Sequence, residues 1–181
     1  MTEEGHRVEL IRRIHDTPTL VSLAVTGGGV AAVSDLLAVP GASRTVVEAA
    51  VPYAESALVD LLGREPLQAV SPSTAIAMAE ACRRRALRLM PAADRPMAGV
   101  ACTAALATDR PKRGEHRAHV AACTDAGSAV WSLVLTKGMR DRSGEDRLVS
   151  DLVLAVVAVA CGLDGMQLVH LDHADALTPP G

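Results

Sequence analysis

Two groups of residues in this chain carry types and spacings that could do chemistry. Thr26, Gly27, Gly28 and Gly29 close a short apolar run, and Arg117 and His119 sit in the most charged stretch of the sequence. Glycines after a strand let backbone approach an anion closely, and the N–H groups at the start of the next helix point at the same place. Taken alone, those glycines are more often an ordinary tight turn. Residues 109–119 collect Arg110, Lys112, Arg113, Glu115, His116, Arg117 and His119. Charge runs are commonly solvated hairpin tips. If His116 opens a strand, however, it shares one face with Ala118 while Arg117 and His119 share the other. Arg117 and His119 then point together at an anionic ligand, or outward at a partner chain.

Other reactive types carry less. Cys102, beside Thr103, reads as a buried strand cysteine, because no neighbour in sequence lowers its pKa. Cys82, Cys102, Cys123 and Cys161 lie far apart in apolar stretches, with no CxxC pair. They read as reduced, buried thiols of a cytoplasmic protein. His170, Asp172 and His173 fall within four residues, and alternate side chains of an extended segment face apart, so they do not converge on a metal. Solvent exposure suits them better. No metal and no cofactor are expected.

Composition excludes several function classes. Eighteen basic against 21 acidic residues give a net charge of −3, without the basic excess of a nucleic-acid binder. Trp131 and Tyr53 are the only aromatic residues, so a base-stacking surface is excluded. The charged N-terminal stretch has no apolar signal region. The longest apolar run, residues 148–163, contains Asp151 and is too short for a bilayer.

The elements that must position these residues follow from periodicity. Residues 4–15 read as an amphipathic helix. Residues 20–25 read as a strand running into the glycine turn, followed by a helix over 30–37 that stops before Pro40-Gly41. A strand over 45–51 and a helix over 54–62 come next. Ser71-Pro72 is the clearest helix start, with a capping hydroxyl and a proline at the first helical position. Its helix carries Arg83, Arg84, Arg85 and Arg88 near the C-terminal end, where positive charge suits the dipole. Strands over 97–103, 116–123 and 129–136 precede a long helix over 144–163, in which Asp151 is expected to be exposed or capped. The tail, ending Pro179-Pro180-Gly181, is expected to be loose. After the N-terminal helix, the order β-α-β-α-α-β-β-β-α makes an α/β domain with a mixed sheet between helices.

The motifs lie in an order that resembles the CinA C-terminal domain family. Thr26-Gly27-Gly28 ends the first strand, and Val39-Pro40-Gly41-Ala42-Ser43, Tyr53, Val70-Ser71, Met78-Ala79-Glu80, Val100-Ala101-Cys102-Thr103 and Gly138-Met139-Arg140 follow. The resemblance covers roughly residues 18–163, with an N-terminal helix over 1–17 and a tail over 164–181. It implies a three-layer α/β/α sandwich and self-association into a homo-oligomer.

Characterised family members are amidohydrolases that release ammonia from nicotinamide mononucleotide, using a serine nucleophile and a lysine. At the matching positions this chain has Ala24 and Leu58, and the family's second glycine-rich turn reads Ala104-Ala105-Leu106-Ala107. A serine hydroxyl needs a base to take its proton, and neither alanine nor leucine supplies either function. What the resemblance leaves is a ligand set: Thr26, Gly27, Gly28, Tyr53, Thr103 and Arg140, joined by Arg117 and His119 from the charged stretch. The expectation is a CinA-like protein that binds a small anionic, phosphorylated or nucleotide-like ligand without family-type hydrolysis, with no nucleic-acid or membrane partner. An enzyme with a rebuilt site, or a structural homo-oligomer with a degenerate pocket, are the alternatives.

Overall fold

The computed structural model describes residues 2–110 and 113–180. Pro111 and Lys112, part of the charged stretch, lie outside the described residues. Helix α1 (Glu3–His15) is capped by Thr2, whose hydroxyl accepts from the Gly5 N–H at 3.2 Å. Strand β1 (Leu20–Thr26) runs through the glycine turn into α2 (Val30–Ala38). Strand β2 (Val46–Ala50) leads to α3 (Glu55–Leu62) and α4 (Pro72–Leu89). Ser71 caps α4 as expected, accepting from the Thr74 N–H at 3.2 Å, with Pro72 in the first turn. Strands β3 (Met97–Ala105), β4 (His116–Thr124) and β5 (Gly127–Leu135) precede α5 (Arg142–Ala160) and β6 (Ala176–Thr178).

The six strands form one sheet in the order β2-β1-β3-β4-β5-β6. β1 is parallel to both β2 and β3, and the remaining pairs are antiparallel. The pleat divides each strand between two layers. Val21, Leu23 and Val25 of β1 join Val100, Cys102 and Val120 in the core shared with α1, α2 and α5. Ala24, Ala101 and Ala121 face the other way, onto Leu58 of α3 and Met78, Ala79 and Cys82 of α4. The architecture is the expected three-layer α/β/α sandwich with a mixed sheet.

With no phenylalanine, this second layer is packed by close approach rather than by bulk. A Cβ added at Gly99 of β3 would lie 2.0 Å from the Ala79 carbonyl oxygen, so α4 rests directly on the sheet backbone.

Three expectations are corrected. The tail is not loose: β6 pairs with β5 through Ser132↔Thr178, Leu133↔Leu177 and Val134↔Ala176, and Arg140 clasps Asp172 and Asp175 beside it. Asp151 is buried rather than exposed, with Arg7 of α1 placing Nε 2.8 Å and Nη2 3.2 Å from its two oxygens. Helix α5 begins earlier, because Asp141 caps it by accepting from the Gly144 N–H at 2.8 Å. Among the described residues, no helix is long and apolar enough to cross a membrane.

Candidate functional site

Strand register aligns polar residues from four strands. Thr26 sits opposite Thr103, Thr103 opposite His119, and His119 opposite Ser132. All four lie on the α3–α4 face of the sheet, by the same alternation that sends Ala24 and Ala101 there. The chain leaving β1 enters α2 on one face, whereas the chain leaving β2 enters α3 on the other. At such a divergence a crevice opens beyond the carboxyl ends of the strands. A cavity of about 440 Å³ lies there, lined among others by Thr26, Tyr53, Glu55, Leu58, Glu65 and Thr103.

The polar groups around this cavity differ in availability. Tyr53 is 70% exposed, at the rim. Glu55 and Glu65 are exposed too. Thr103 is buried, and its hydroxyl donates to the Ala69 carbonyl at 2.8 Å, so its proton is committed to the wall. Arg117, on the same face, donates to the Val70 carbonyl at 3.4 Å and stands behind that wall. His119 is buried and shares a 2.8 Å hydrogen bond between Nδ1 and the Ser132 hydroxyl. Burial first, then the Arg117 charge, holds the His119 imidazole below its ordinary value of 6.5. It is therefore neutral near pH 7.

The glycine turn reads differently in three dimensions. Gly27 (φ 75°) packs so tightly on β3 that an added Cβ would lie 1.9 Å from the Ala104 carbonyl oxygen. At Gly28 the same addition would meet Leu106 Cδ1 at 2.6 Å. Gly29, at the N-terminus of α2, donates its N–H to Asp146 Oδ1 at 2.8 Å. An anion is thus already present at this helix end, and it is the chain's own carboxylate. Arg142 ties the turn down by donating to the Gly27 carbonyl at 2.8 Å and the Ala107 carbonyl at 3.2 Å. Fully buried Glu145 accepts from the Ala107 N–H at 2.7 Å and meets His116 Nδ1 at 2.6 Å.

Arg140 lies apart from all of this, between Asp172 and Asp175 at the β5–β6 edge. The sequence reading missed Arg142, Glu145 and Asp146, because only folding brings the start of α5 against two loops distant in sequence. Their crowding at one helix N-terminus was the available signal.

Leu58, in the cavity lining, is nearly fully buried, and Ala24 behind it fully so, in one apolar cluster with Met78, Ala101 and Ala121. Cys102 points into the opposite layer, where burial, then the Asp146 charge, pushes its thiol far up. Such a thiol is inert at neutral pH, in keeping with its reading as a core residue. His170, Asp172 and His173 are exposed, and no cluster of metal ligands occurs among the described residues.

The family model for the CinA C-terminal domain matches residues 6–109, from α1 to just past β3. The chain belongs to the CinA C-terminal domain family. Solved relatives reach further than the family model. The competence/damage inducible protein CihA from Agrobacterium tumefaciens is 26% identical with a TM-score of 0.62, over 87% of this chain and 93% of that one. A competence or damage-inducible protein from Enterobacter asburiae is 17% identical with a TM-score of 0.67, over 90% and 98%. A CinA superfamily protein from Klebsiella pneumoniae is 16% identical with a TM-score of 0.64, over 94% and 99%. No curated protein matches. In this CinA-family chain, α1 is inside the matched region and shares the main core through Leu10, Ile11 and Ile14. The charged residues from 110 to 119 fall beyond that region.

Proposed function

We propose that this CinA-family protein binds a small phosphorylated or nucleotide-like molecule in the Thr26–Thr103 cavity and does not hydrolyse it as the family's deamidases would. One observation carries the reading: at a ligand-sized cavity, the positions expected to hold nucleophile and base are Ala24 and Leu58, closed into one apolar cluster. A methyl and an isobutyl group neither attack a carbon nor take a proton.

The cavity itself supports binding. Its volume of about 440 Å³ falls in the roughly 300–1,000 Å³ range of small-molecule sites. Glu55 and Glu65 suit hydroxyl, amine or pyridinium groups, and the Thr26 and Tyr53 hydroxyls suit either end. Self-association belongs to the same reading. Exposed Leu67 and Tyr53 at the rim are apolar surface that an oligomer would cover.

Thermal unfolding with nicotinamide mononucleotide and a set of nucleoside monophosphates tests the reading, with ammonia release measured in parallel. A ligand at a hundred times its Kd stabilises by about 2.7 kcal/mol. For a chain of this size that corresponds to roughly 5–10 °C in Tm. The expected result is such a shift without ammonia. A flat screen, or ammonia release by the unmodified protein, overturns it.

A further inference from the structure

We propose that the groove between outer strand β2 and helices α3 and α4 is a second ligand site, built for a phosphate ester that also carries hydroxyl groups. Its volume is about 690 Å³, again within the roughly 300–1,000 Å³ range of small-molecule sites. Glu48, Pro52, Asp60, Leu61, Arg84 and Arg88 face it. Pro52 is the one lining residue it shares with the Thr26–Thr103 cavity. The site does not depend on the function proposed for that cavity.

The charges on α4 set the ligand class. Arg83 is held by Asp125 and by the Met97 carbonyl. Arg85 forks onto both oxygens of Glu48, with Nη2 2.7 Å from Oε1. That pairing keeps the Glu48 carboxyl below the usual carboxylate range, so its charge is already engaged. Arg84 and Arg88 face the groove with no ion-pair contact or hydrogen bond among the described residues, although the Arg88 charge reaches Glu48. They stand four apart, on one side of the helix, where like charges destabilise unless a counter-charge comes between them. Two guanidinium forks at this spacing suit one phosphate.

Across the groove, Asp60 of α3 makes no hydrogen bond or ion-pair contact among the described residues, though its charge reaches Arg85; when ionised it can only accept, which suits hydroxyl groups. Leu61 and Pro52 form an apolar part of the wall. A sugar phosphate or a nucleoside monophosphate carries phosphate, hydroxyls and an apolar face in this arrangement.

The test is titration of the full chain with ribose 5-phosphate, adenosine 5′-monophosphate and inorganic phosphate, followed by amide NMR shifts and calorimetry. The expected result is saturable binding of an ester that shifts residues 48–52, 57–61 and 81–88. Arg84→Gln with Arg88→Gln lowers affinity at least tenfold, and Arg84→Lys with Arg88→Lys recovers part of it. Tighter binding of the nucleotide assigns the apolar wall to a base, and equal binding assigns the site to the sugar phosphate. Shifts confined to Thr26, Tyr53 and Thr103, unchanged affinity in the glutamine variant, or no saturable binding overturns the proposal. Inorganic phosphate binding as tightly as the esters also overturns it, since the groove then only attracts anions. If the double variant does not fold, the shifts in the unmodified chain decide.

Discussion

The Gly29 N–H and the Asp146 carboxylate meet at 2.8 Å, and this bond places a resident anion at the N-terminus of α2. It links the β1–α2 turn to α5, elements more than a hundred residues apart. The glycines are small because Ala104 and Leu106 lie against them, and the carboxylate occupies the position that a ligand anion would otherwise take.

Removing that carboxylate should therefore cost stability. Asp146→Ala leaves a part-buried N–H without its acceptor, a loss of about 1–3 kcal/mol. Urea denaturation of the two proteins measures it. A midpoint unchanged by the substitution would show that water replaces the carboxylate at no cost.

The apolar cluster at the cavity makes a second prediction. Leu58→Ala should cost about 2–4 kcal/mol, as for other buried leucines. Ala24→Ser should cost about 1–3 kcal/mol if its hydroxyl finds no partner. Leu58→Lys should be the most destabilising of the three, because it removes the packing and inserts a charge. Chemical denaturation ranks them, and a Lys variant as stable as the native protein would mean that the floor is open to water.

Two buried histidines make stability depend on pH. His15 is packed between the Thr45 hydroxyl at 3.1 Å and the Leu36 carbonyl at 3.0 Å. Burial above all holds its imidazole below 6.5; the Leu36 bond opposes this, the Arg44 charge adds to it, and Asp16 opposes it. His119 is lowered in the same direction. As pH falls through 6.5, the unfolded chain binds protons that the folded chain refuses. Stability complete above 6.5 is then lost toward the two lowered values. The urea midpoint should fall between about pH 7.5 and 5.5, and His15→Gln should flatten part of that slope. A midpoint that rises on acidification would contradict the assignment.

The clasp on the tail predicts a local effect. Arg140→Gln removes the partner of Asp175, whose side chain is fully buried and also accepts from the Thr136 N–H at 2.9 Å. Amide exchange at Ala176, Leu177 and Thr178 should accelerate, with a local cost of roughly 1–3 kcal/mol. Exchange in β1 and β3 should be unaffected. Global rather than local acceleration would show that β6 is integral to the main core.

The sequence by itself determined the elements from α1 to α5 and their order along the chain. Period-two strands, the Ser71-Pro72 start and the apolar faces of α1 and α5 are local signals, set by neighbours a few residues away. Alternation along β4 likewise put Arg117 and His119 on one face and His116 on the other, as the fold has them. What sequence could not reach was which partner each polar group meets, since that depends on contacts across more than thirty positions. Asp151 reads as solvated until Arg7 arrives from α1. Arg140 reads as a ligand residue until Asp172 and Asp175 return beside it. The glycine turn reads as an anion cradle until α5 brings its own carboxylate. Burying a charge is costly unless it is paired, so the tertiary structure decided which of these charges stayed available.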